Sequence, residues 1–161
     1  MKEIIQIDDT LFRIPIPLPF PLRWLYAYAI KGNNGWTIID TGLNREETHQ
    51  VWQRFLLAQK SDWSEIEQII LTHYHPDHYG AAGWLQEKSG APVFISKIDH
   101  KTANLFWHAE EEDMGRLMKH FYLQHGMPVS LAEKMISHMH EFISWVTPKP
   151  EVTFIEQDDT I

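Results

Sequence analysis

The spacing of apolar and polar positions changes character along this chain. The first forty residues favour strands: "EIIQI" and "TLFRI" flank the turn-like Asp8-Asp9, and "LYAYAI" runs into Gly32-Asn33-Asn34-Gly35 before "WTIID". Between them lies "IPIPLPFPL", with prolines at 15, 17, 19 and 21. A proline donates no ladder hydrogen bond, so this stretch is expected at a sheet edge or in an extended surface loop. A helical period follows. Asn44 with Glu47 reads as its start, and Val51, Trp52, Phe55 and Leu56 form its buried stripe.

"IEQIIL" is then a short buried strand, a helix is expected from about His78 to Lys88 with a stop at Gly90, and "APVFIS" is the next strand. This order predicts a layered α/β fold. Residues 101–125 and 131–146 return to a helical period on either side of "GMPV". Ser130 and Glu133 are spaced as a capping box, and Leu131, Met135, Ile136, Met139, Phe142, Ile143 and Val146 share one predicted face. Pro148 and Pro150 end that segment, and "VTFIE" reads as one more strand.

Composition narrows the classes. With 161 residues, 43% hydrophobic and 22% charged, the chain fits one globular domain. A net charge of −8 and the lack of a Lys/Arg-rich stretch disfavour nucleic acid as a partner. There is no cysteine, so a metal must sit on His, Asp or Glu. No apolar run reaches the ~20 residues of a membrane helix, and "MKEIIQIDD" lacks a leader pattern, so a cytoplasmic location is the default expectation.

The chemistry concentrates in "THYHPDHYG", residues 72–80, with three histidines and an aspartate in six positions. His73 and His75 are two apart, so an extended loop points both imidazoles to one side. Pro76 turns the chain, which brings Asp77 and His78 beside them. Neutral imidazoles with an open position suit a zinc-type ion, and an Asp-His pair suits a second one. Two such ions about 3.5–4 Å apart share a hydroxide and polarise a substrate oxygen. The isolated histidines at 49, 100, 108, 120 and 125 are read as ordinary surface or core residues. His138 and His140, on opposite sides of a predicted helix, make a poor chelate.

"THYHPDHYGAAG" resembles the T-H-x-H-x-D-H-x-G-G motif of the metallo-β-lactamase superfamily, and "IIDTG" at 38–42 resembles that family's preceding strand-Asp-Thr-Gly motif. The resemblance covers roughly residues 1–98. It implies an αββα sandwich, with His73 and His75 on a first metal, Asp77 and His78 on a second, and Asp40 steadying the histidine loop from behind. Asp77 is also the residue expected to take a direct part in catalysis. The implied cofactor is zinc, two ions in the complete protein, with iron or manganese as alternatives. Ala81 departs from the motif's second glycine, a change expected to matter little.

The family's later Pro-Gly-His segment, bridging aspartate and last histidine have no counterpart after residue 98. Residues 1–161 are therefore expected to be the N-terminal part of such a domain, with 101–146 as a helical insertion, and inactive alone. The implied activity is hydrolysis of a small-molecule ester, thioester, lactone or amide by a metal-bound hydroxide. A nuclease, an iron-dependent dioxygenase and a non-catalytic metal-binding module are the rival readings. Phe20, Leu22 and Trp24 of the proline-rich stretch, and the Met-rich helices, are placed to roof the site over an apolar substrate. An unfinished sandwich also predicts an exposed sheet face and a homodimer through it.

Overall fold

The computed structural model describes residues 2–108 and 111–159. One seven-stranded sheet follows chain order: β1 (Ile5–Gln6), β2 (Leu11–Pro17), β3 (Trp24–Lys31), β4 (Trp36–Ile39), β5 (Ile66–Ile70), β6 (Val93–Ser96) and β7 (Val152–Ile155). The first four strands are an antiparallel meander, and β4 to β7 are parallel neighbours. That switch needs crossovers, which the helices supply. They are α1 (Glu46–Ala58), α2 (Pro76–Tyr79), α3 (Ala82–Ser89), α4 (Lys97–Ala103), α5 (Glu111–Gln124) and α6 (Val129–Glu141). The fold is α/β, as its pattern predicts.

Alternation decides which side of the sheet is closed. Phe12, Ile14, Ile16, Leu25, Ala27, Ala29, Trp36, Ile38, Ile69, Val93 and Ile95 are buried with Val51, Trp52, Phe55 and Leu56 of α1 and Leu85 of α3. Rings of Phe12, Trp36 and Phe55 meet edge to face at 4.9–5.7 Å. The opposite face carries Tyr26, Tyr28, Ile30, Ile39, Ile70 and Phe94, none of them fully buried. Among the described residues, Tyr26 and Ile30 of that face are exposed and the other four are half-buried.

The proline-rich stretch is divided. Pro15 and Pro17 lie inside β2, paired through β3, while β1 reaches only to Arg13 on the other side. Both prolines therefore sit on a free edge, where a missing N–H breaks no ladder. Phe20 then leaves the sheet and packs on Phe142 at 5.6 Å and Trp145 at 5.9 Å.

Four helix expectations need correction. Helix α1 starts at Glu46 with no side-chain cap, because Asn44 is engaged with His49 and the Thr147 carbonyl. Helix α6 is entered through Pro128, and Glu133 reaches across to Lys119 of α5 at 2.7 Å instead of closing a box with Ser130. The helix expected over 78–88 is two, broken at Gly80-Ala81. The helix expected over 101–125 divides into α4, a wide turn over Asn104–His108, and α5, with residues 109–110 outside the described residues. The true capping box is at Asp62 and Glu65, opening a short 3-10 turn before β5. Among the described residues, no helix is long and apolar enough to cross a membrane.

Candidate metal centre

Strands β4 and β5 end side by side, and each releases a loop at its C-terminal end. Asp40 leaves β4 at φ +59, a left-handed conformation uncommon outside glycine, asparagine and aspartate. Its N–H still donates to Ile70 of β5 at 2.9 Å. The twist sends the carboxylate, 7% exposed, under the histidine loop. Its Oδ1 accepts from the Thr72 N–H at 2.9 Å, and both oxygens face the Thr72 hydroxyl at 2.8–3.0 Å. Its Oδ2 accepts from His78 Nδ1 at 2.8 Å.

These contacts fix two histidine tautomers. The Thr72 hydroxyl has one proton, and Asp40 as a carboxylate only accepts. The Thr72 oxygen is thus left to accept from His73 Nδ1, 2.9 Å away. In their neutral forms both His73 and His78 therefore carry hydrogen on Nδ1 and leave Nε2 bare. The rings of His73 and His78 lie 4.0 Å apart, and those of His73 and His75 lie 4.6 Å apart. His75 begins α2 ahead of Pro76, and Asp77 in the first turn has Oδ2 3.7 Å from His78 Nε2.

Charge follows the same pattern. Burial pushes the Asp40 carboxyl up, but hydrogen bonds from His78 and Thr72 outweigh it and hold it below the usual carboxylate range. Burial pushes His78 down, but the Asp40 hydrogen bond and charge carry it above the usual histidine value. Burial, with His78 and His75 alongside, holds His73 below that value and favours the neutral ring that ligation requires.

Several further supports lie in or beside the two motifs. The Thr41 N–H and hydroxyl both donate to the His78 carbonyl, at 2.9 and 2.8 Å, tying the Asp-Thr-Gly turn to α2. Gly42 has φ +93, and a Cβ there would stand 2.6 Å from Ile16. At Gly80 a Cβ would meet the Pro76 and Trp145 carbonyls at 2.5 Å. Ala81, by contrast, has φ −89 and needs no glycine. Asp99 accepts from the Tyr74 N–H at 3.3 Å and from the Ser96 hydroxyl at 2.6 Å, a brace visible in sequence only as a Ser-x-x-Asp spacing.

The site thus gathers His73, His75, Asp77 and His78 at the end of β5 with Asp40 behind them. It does not bring three donor atoms onto one point: among the described residues no ready-made group of three His, Asp or Glu ligands is found. His138 is exposed and pairs with Glu141 at 3.4 Å, and His140 lies beside Gly115 of α5.

A family model described as the metallo-beta-lactamase superfamily matches residues 26–159, which include both motifs and the helical segment. The chain belongs to that superfamily. Two curated relatives come from Bacillus subtilis (strain 168). The probable metallo-hydrolase YqjP is 38% identical over 72 residues, 45% of this chain and 22% of that protein. The probable metallo-hydrolase YybB is 28% identical over 100 residues, 62% of this chain and 43% of that protein. The chain matches less than half the length of either.

Among solved structures, the metallo-beta-lactamase family protein TTHA1429 from Thermus thermophilus has a TM-score of 0.78 at 24% identity, over 97% of this chain and 49% of that one. A beta-lactamase domain protein from Burkholderia ambifaria has a TM-score of 0.77 at 19% identity, over 99% and 46%. At these identities the likeness is one of fold.

Proposed function

We propose that this chain carries the metal-binding part of a zinc-dependent hydrolase acting on a small-molecule ester, thioester, lactone or amide. The observation that carries the reading is the pair of bare Nε2 atoms on adjacent rings, each fixed by a hydrogen bond on its Nδ1. Superfamily membership and the curated probable metallo-hydrolases support it. The donor set fits a borderline-soft ion such as zinc: imidazole nitrogens, one carboxylate and no thiolate.

His73 and His75 would hold one ion, and Asp77 and His78 a second. The chemistry such ions supply is activation of water near neutral pH and polarisation of a carbonyl oxygen. The residues of this chain do the rest. Asp40 keeps His78 in one tautomer and orientation, as carboxylates behind ligating histidines do. Thr72 passes that restraint to His73. The direct catalytic part assigned to Asp77 rests on its place beside the His78 Nε2.

With no three ligands preassembled among the described residues, weak zinc affinity and negligible turnover are expected of this chain alone. The partner in the reaction is the small-molecule substrate, and the second face of the sheet, with Tyr26 and Ile30 37–39% exposed, is assigned to a homodimer. Zinc titration of the chain by calorimetry tests the metal reading. Uptake reduced at least tenfold in His73→Ala and His75→Ala is the expected result, and unchanged uptake in both would contradict it. Light scattering tests the dimer, which a stable monomer would refute.

A further inference from the structure

Beside His75, a pocket of about 230 Å³ opens between the histidine loop and the helical segment. Its walls are Tyr74, Pro76, Phe106, Trp107, Met139 and Phe142, with His75 at its edge. The rings are mutually fixed. Tyr74 and Phe106 stack at 5.6 Å and 21°, and Trp107 lies 5.8 Å from Phe106 and 6.5 Å from Phe142. Trp107 is also anchored by its indole N–H, which donates to the Tyr74 carbonyl at 2.9 Å.

That anchor removes from the pocket the one donor Trp107 has. The described walls then offer aromatic faces and a methionine thioether, with His75 and Tyr74 the residues whose side chains carry a further hydrogen-bonding group. Among the described residues, no charged side chain lines it. Size sets a second limit. A pocket for a whole drug-sized ligand is about 300–1,000 Å³. A dry apolar cavity of about 150 Å³ accepts benzene. The space beside His75 lies between them, so it suits one uncharged ring or branched apolar group, with the remainder of the molecule outside.

We propose that this pocket takes an aromatic or similarly bulky apolar substituent of the substrate, so that a carbonyl attached to it is delivered to the metal-bearing side of His75. The proposal rests on the hydrolase reading above for the identity of the occupant. His75 both lines the pocket and stands within the histidine cluster, its ring 4.6 Å from that of His73, so a group seated there lies next to the cluster. Residues from two distant parts of the chain build the wall: 74–76 from the motif, and 106, 107, 139 and 142 from the helical segment. Specificity is thereby assigned to the helical segment and ligation to the loop.

The test uses acetophenone, an uncharged ring bearing a carbonyl that a hydrolase cannot cleave, with acetone as the ring-free control. Acetophenone is titrated into the full chain, followed by the Trp107 indole N–H and Met139 methyl resonances, with zinc uptake measured separately. Saturable shifts of both resonances with acetophenone and not with acetone are expected. Met139→Trp, which fills the pocket from a half-exposed helix position, should weaken acetophenone at least tenfold and leave zinc uptake unchanged. Equal binding to Met139→Trp, or shifts confined to other parts of the chain, would overturn the proposal. Loss of the zinc result with retention of the acetophenone result would instead overturn the metal reading and leave an apolar pocket without its assigned substrate.

Discussion

The loops that leave β4 and β5 and the helical segment over residues 97–146 meet at His75, yet they are held together by different physics. In the loops every named polar group has a directed partner: Asp40 with Thr72 and His78, Thr41 with the His78 carbonyl, Thr72 with His73. In the helical segment the contacts at the site are ring against ring, and much of the remaining apolar surface faces solvent, with Phe121 at 58% and Leu117 at 55% exposure. Directed bonds fix donor atoms to fractions of an ångström, which ligation demands. Ring contacts define a shape and tolerate replacement, which a specificity wall can use. The difference places precision in the loops and adaptability in the helices.

The largest effect should come from Asp40→Ala. It strands the Thr72 N–H and hydroxyl and the His78 ring in a poorly solvated site, at an expected cost of about 2–4 kcal/mol in urea unfolding. Zinc affinity should fall about 10- to 100-fold with it. A loss below about 1 kcal/mol would erase the contrast between the two regions. Gly42→Ala should follow, at about 1–3 kcal/mol, since it combines a positive φ with a Cβ set against Ile16.

Substitutions on the outer helical face sharpen the comparison from the other side. Phe121→Ser and Leu117→Ser should each change unfolding stability by no more than about 0.5 kcal/mol. A loss of several kcal/mol would mean that this face is packed in solution.

The smallest effect concerns His49, which stacks on Trp84 at 3.8 Å. Burial, the largest cause, with Lys88 in support, holds its pKa below the ordinary 6.5 against the pull of Glu46. The folded state then binds its proton less readily than the unfolded chain. The contribution is full above pH 6.5 and declines as pH falls below it toward the folded value. Wild type should therefore lose slightly more stability than His49→Gln across that window, and parallel curves would refute the assignment.

Much of this was legible in the sequence, for reasons that particular residues make clear. The strands of the closed face showed because Phe12, Ile14 and Ile16 alternate with Arg13, Pro15 and Pro17, and because Val93, Phe94 and Ile95 form a short apolar run. The histidine loop showed because three imidazoles and a carboxylate within six residues are hard to explain as packing. Helix starts did not show. Asn44 and Glu133 have the chemistry of caps, but a tertiary partner, Thr147 or Lys119, took each side chain. The break at Asn104–His108 was equally hidden, because the aromatic positions that turn Phe106 and Trp107 onto Tyr74 have the same spacing as an ordinary helical stripe. Thr72 stood in the quoted motif with no role assigned and Asp99 went unnoticed, since their roles exist only once β4, β5 and β6 lie side by side.

The central claim is that Asp40 and Thr72 leave His73 and His78 with bare Nε2 atoms for a metal. Nitrogen-15 spectra of the histidine rings, recorded before and after zinc addition, test it most directly. At a pH where both rings are neutral, the account predicts Nδ1–H tautomers for His73 and His78 in the metal-free chain, with both Nε2 resonances moving on zinc addition. Nε2–H tautomers at these positions, or zinc-induced shifts confined to histidines such as His138 and His140, would contradict it.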